Sequence, residues 1–68
     1  MKKVFFLDNS QNEREIGYAI SDAAAWDIIH RFLLNHNYQS YYVRQWEEDG
    51  KHWYDVGSHT EFFFTKEI

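Results

Sequence analysis

Residues 44–55 read Arg44-Gln45-Trp46-Glu47-Glu48-Asp49-Gly50-Lys51-His52-Trp53-Tyr54-Asp55, and the fold is decided there. Asp49-Gly50 between two alternating runs is the strongest short hairpin signal, because a type I′ loop needs positive φ at both central residues. A two-residue loop fixes the register. It sets Glu48 beside Lys51, Trp46 beside Trp53, Arg44 beside Asp55 and Val43 beside Val56. One face then carries two opposite-charge pairs around an aromatic pair, each pair worth roughly 0.2–1 kcal/mol. None of these pairings enters the choice of register, so their chemical sense supports it independently.

Strand character around this hairpin begins at Ser40. Gly57-Ser58 starts a further turn, and Thr60 to Lys66 reads as a last strand with Phe62 and Phe64 on one face and Phe63 on the other. At the other end, Lys2 to Asp8 reads as a strand of residues that suit a pleated, packed surface. Asn9-Ser10-Gln11-Asn12 is a polar turn whose Asn and Ser side chains bond nearby backbone. Arg14 to Ile20 alternates through Ile16, Tyr18 and Ile20, which favours a second strand. The other reading, an early helix start near Asn12, places Gly17 inside a helix at a cost of about 1 kcal/mol. Ser21-Asp22 is a helix start, a hydroxyl cap followed by an acid at the positive end of the dipole. The helix runs to about Asn35 with Ala25, Ile28, Ile29, Phe32 and Leu33 in one stripe and Trp26 at its margin. Leu34 projects from the polar side, and Asn35-His36-Asn37 supplies the stop, since Asn tolerates the left-handed conformation. The expected order is β-β-α-β-β-β: one α+β domain over residues 1–68, an antiparallel sheet of four or five strands with one helix on one face.

Composition narrows the function. The chain has 68 residues, 21% of them aromatic, with no cysteine and no proline. A domain this small buries only about 60% of its unfolded surface, and disulfide or thiolate-zinc staples are excluded. Its net charge of -4 disfavours general nucleic-acid binding and suits a cytoplasmic protein or one with a basic partner. The longest apolar runs, Val4-Phe5-Phe6-Leu7 and Phe62-Phe63-Phe64, are far short of the ~20 residues of a membrane span.

Sites for chemistry are sparse. His30 and His36 are six apart on the helix and fall on different faces, and His52 and His59 lack a flanking carboxylate cluster, so no metal site is expected. Asp55, Ser58 and His59 sit on one turn, where no triad geometry or oxyanion hole can form. There is no phosphate loop or dinucleotide fingerprint, and a domain of this size is expected to lack a cleft of several hundred Å³. No catalytic residue, cofactor or enzyme activity is expected.

A single helix covers one face of the sheet and leaves the other free. The hairpin face bearing Tyr41, Val43, Tyr54 and Val56 suits the helix. The free face then carries Tyr42, Arg44, Trp46, Trp53 and Asp55, joined by Phe63 or Phe5 from neighbouring strands, with Glu47, Glu48 and Asp49 at the hairpin tip. Trp, Tyr and Arg are typical interface residues, although aromatic pairs also serve simply to hold small sheets together. These residues are the expected contact surface for another protein with a basic surface, or for a homodimer. The tip would steer toward that partner. Of a different class is a single-stranded nucleic-acid binder, stacking bases on Tyr42, Trp46, Trp53 and Phe63; only Arg44 and Lys51 supply positive charge for it on that face. No motif matches a named family. In size and composition alone, the chain resembles the small acidic α+β proteins common in phages and mobile elements, which include inhibitors of larger enzymes.

Overall fold

A computed structural model describes residues 1–36, 43–57 and 60–68. Its elements are β1 (Lys2–Leu7), β2 (Glu13–Ala19), α1 (Asp22–Asn35), β3 (Arg44–Glu48), β4 (Lys51–Asp55) and β5 (Phe62–Glu67). The strands form one antiparallel sheet in the order β2-β1-β5-β4-β3, so the last strand in the chain is the central one. The continuous run Phe62-Phe63-Phe64 fits that place, because side chains on either face of a central strand are flanked by neighbours from both adjoining strands. Tyr41, Tyr42, Ser58 and His59, and the strand expected from Ser40, fall wholly or partly outside the described residues.

Local chemistry accounts for the boundaries. Ser21 Oγ accepts from Ala24 N–H at 3.1 Å and caps α1, with Asp22 in the first turn. At the other end His36 is the C-cap, with φ -108; its backbone N–H turns back to Leu33 and its ring stacks on Phe32 at 4.2 Å, and the following Asn37 of the expected stop lies outside the described residues. The β1–β2 turn is held by Asp8 rather than by the Asn and Ser side chains. Its carboxylate accepts from Ser10 N–H and Asn12 N–H, both at 2.9 Å. Asp49 (φ 55) and Gly50 (φ 75) take the positive dihedrals of the type I′ loop, and β3 pairs with β4 in the register read from that loop.

The helix lies on one face only. Ala25, Ile29 and Leu33 pack with Val4, Ala19, Tyr54, Val56 and Phe63 in the main core, and Ile16, Ile28 and Phe32 fill its edges. Close approach is possible at β2 because Gly17 has no side chain: a Cβ there would stand 3.1 Å from Ile28 Cδ1. Beside Gly17, the register of β2 against β1 slips by one residue between Val4 and Phe5, which leaves Ile16 as an extra residue in the strand.

Candidate interaction surface

Alternation along the five strands puts a second set of side chains on the face that α1 leaves uncovered. Three rows cross the sheet there. The middle row runs Phe5, Phe64, Trp53, Trp46. Phe5 stacks on Phe64 at 4.9 Å, Phe64 meets Trp53 at 4.9 Å, and Trp53 stacks on Trp46 at 6.2 Å with only 9° between planes. Phe62 sets its edge against both indoles at 6.3 and 6.4 Å. Expected company for the tryptophans is therefore corrected. Phe5 is there, but Phe63 is on the opposite face, 1% exposed against Phe6 and Phe32, and Phe62 and Phe64 take its place. The strand order causes this, because inserting β5 between β1 and β4 aligns Phe64, not Phe63, with Phe5 and Trp53.

On one side of the aromatic row lies a row of lysines. Lys3 is directly opposite Lys66, and Lys66 is directly opposite Lys51. Like charges facing across strands are destabilising. Two have carboxylate partners: Lys3 Nζ is 3.6 Å from Glu15 and Lys51 Nζ 3.9 Å from Glu13. All three lie over rings, Lys51 at 4.6 Å from Phe64, Lys66 at 5.3 Å from Phe5 and Lys3 at 5.7 Å from Tyr18. Lysine stems laid along apolar surface shield it while the charged ends stay wet. Phe64 is accordingly 0% exposed although no helix covers it. Only Arg44 and Lys51 were expected to bring positive charge to this face; Lys3 and Lys66 are added by β1 and β5, which the hairpin register does not reach.

The remaining expected contact residues divide into three groups. Trp46 and Trp53 are half-buried and, with Leu7, Gln11, Glu48 and Phe62, line a shallow cleft of about 220 Å³. Arg44, Glu47, Glu48 and Asp49 are exposed. The two glutamates point to opposite faces, Glu47 accepting from His52 Nδ1 at 2.6 Å and Glu48 from Trp46 Nε1 at 3.1 Å. Asp55 differs from both groups because it is buried. Its carboxylate accepts from Gly57 N–H at 2.9 Å and from Arg44 at 3.0 Å. The Gly57 bond, helped by the guanidinium, holds it below the usual carboxylate range. Asp55 thus fixes the turn after β4 and orients Arg44, and it reaches a partner only through Arg44. Tyr42 lies outside the described residues.

A cleft of about 360 Å³ opens at the C-terminal end of α1, larger than a domain of this length was expected to hold. Phe6, Phe32, Leu33, Val56 and Phe63 form its apolar walls, and Arg14, His36 and Glu61 bring charges of mixed sign. Among the described residues no three His, Asp or Glu side chains group to hold a metal ion, and no helix is long and apolar enough to cross a membrane. Comparison with known protein families, with characterised proteins and with solved structures finds no match.

Proposed function

We propose that this chain is a non-enzymatic protein-binding module of the cytoplasm, a regulator or inhibitor of a larger enzyme, whose contact surface is the uncovered face of the sheet. What carries the reading is the pair of half-buried indoles, Trp46 and Trp53, around a cleft beside the acidic hairpin tip Glu47-Glu48-Asp49. Large amphipathic rings at the centre of a patch, ringed by charge, are where binding energy concentrates. The tip steers the module toward a basic surface on the partner. An arginine-rich peptide is the simplest probe of such a surface. Titrated at low salt, it is expected to shift the tryptophan emission to saturation, and Glu47→Gln/Glu48→Gln is expected to weaken the response. An emission unchanged by the peptide would overturn the reading.

The lysine row favours a second reading, a single-stranded nucleic-acid binder. Lys3, Lys66 and Lys51 flank rings that offer π-faces to bases. Against it stands the net charge of -4. A labelled oligonucleotide bound at low salt, and released on Lys66→Glu, would replace the first reading with this one.

A further inference from the structure

We infer that the uncovered face pairs with the same face of a second copy of this chain, about a two-fold axis running along the aromatic row. The inference rests on the reading above only in taking this face as a contact surface, and it names an occupant for it.

A repeated charge pattern carries the argument. β3 presents Arg44, Trp46 and Glu48 on the uncovered face, and β4 presents Lys51, Trp53 and Asp55. Both strands therefore read cation, tryptophan, carboxylate. Let a second copy turn through 180° about an axis in the contact plane along the tryptophan row. Each strand then faces its own counterpart running the opposite way. Trp46 meets Trp46 of the second copy, Arg44 meets its Glu48, and Lys51 comes over the end of the face where its Arg44 is held by the buried Asp55. The lysine row comes to lie over the row of Phe62 and Leu7 and away from the lysines of the other copy. A surface that matches itself under a two-fold rotation is what a closed dimer requires.

Size and charge agree with this occupant. Five strands about 4.8 Å apart and roughly 20 Å long give a flat area of about 480 Å² per copy, before side-chain relief is added. Two copies reach about 1,000 Å², the lower bound of a specific interface. An axis along the strands also opposes unlike charges, but it leaves β1 and β2 uncovered. A polyanion is a poorer fit than a second copy, because the exposed Glu48 and Glu13 would meet its phosphates.

Sedimentation equilibrium of the full chain up to about 1 mM tests the pairing. The mass is expected to rise from 8.3 kDa toward twice that value. Arg44→Glu and Glu48→Lys, made singly, each set like charges across the axis and are expected to weaken association about tenfold or more. The double variant Arg44→Glu/Glu48→Lys restores opposite signs between copies while setting like charges beside Asp55 and Lys51 within the chain. Recovery of the dimer in that variant, with folding checked by thermal melting, supports the proposal; so strong a discriminator exists because a purely intrachain role makes the double variant the worst of the three. A monomer throughout, or association indifferent to all three variants, overturns it. A monomer whose tryptophans still answer the arginine-rich peptide rejects the second copy and keeps the binding reading. An oligonucleotide that raises the mass where concentration alone does not would also overturn it, in favour of the single-strand reading.

Discussion

Phe63 and Phe64 are neighbours in the chain, both essentially unexposed, yet they are buried by different means. Phe63 points to the helix, where Phe6 and Phe32 close on it and Leu33 and Ile29 complete the core. Phe64 points the other way and is enclosed by Phe5, Trp53 and two lysine side chains. One cover is a secondary-structure element fixed by its own packing. The other is a set of flexible side chains with charged ends, held in part by Glu13 through Lys51. Equal burial therefore does not mean equal permanence, and the second cover is the one a partner can exchange for its own surface.

Truncations break this comparison most directly. Phe63→Ala opens a cavity under the helix and is expected to cost about 3–5 kcal/mol, enough to unfold a domain this small. Phe64→Ala should cost somewhat less, about 3 kcal/mol, since lysine stems can settle into the gap. Denaturant midpoints of the two variants measure both; a Phe64→Ala loss below about 1 kcal/mol would show that the uncovered face is no second core. Asp55→Ala removes two partly buried hydrogen bonds to a charged group and is expected to cost about 2 kcal/mol. Because the folded carboxyl is held below its ordinary range, its contribution is present at neutral pH and lost as pH falls through that lowered value. Acid titration of stability should accordingly lose one component in the variant.

The smallest change expected is at Tyr54, on the helix side. Its hydroxyl is buried with no hydrogen-bond partner among the described residues, and burial pushes its pKa from 10.0 up to about 12. The unfolded chain ionises first, so Tyr54 supports folding below pH 10 and that support is lost as pH rises toward 12. Tyr54→Phe removes an unsatisfied polar group and should leave stability unchanged or raise it by about 1 kcal/mol, with a flatter alkaline limb. Thermal melts at pH 7 and above pH 10 check both parts.

Sequence made the hairpin, the capped helix and the β2 strand legible because each is specified locally: Asp49-Gly50 by its loop dihedrals, Ser21 by its cap, Arg14 to Ile20 by alternation. The faces of β2 differ from that alternation, because the extra residue at Ile16 turns both Ile16 and Ala19 to the core and leaves Tyr18 and Ile20 exposed. It did not reveal the strand order, since nothing near residues 62–67 says that this strand enters between β1 and β4. The misplacement of Phe63 and the missed lysine row both follow from that one gap. Lys3 and Lys66 are ordinary strand-end residues until the register sets them opposite each other. Asp55 was placed on the correct face, but its burial depends on Gly57, whose positive φ of 96 folds the backbone over the carboxylate. The larger cleft at the end of α1 was likewise invisible, being formed by residues from the helix, β1, β2 and β5 together.

The central claim is that the face opposite the helix is the one that makes contact. The chain's three tryptophans report on it separately, for Trp26 stacks on Tyr54 under the helix while Trp46 and Trp53 lie on the uncovered face. Indole N–H resonances followed as protein concentration rises give the most direct test. The account predicts that the Trp46 and Trp53 signals move together and saturate, with Trp26 unmoved. A moving Trp26 beside stationary Trp46 and Trp53 would contradict it.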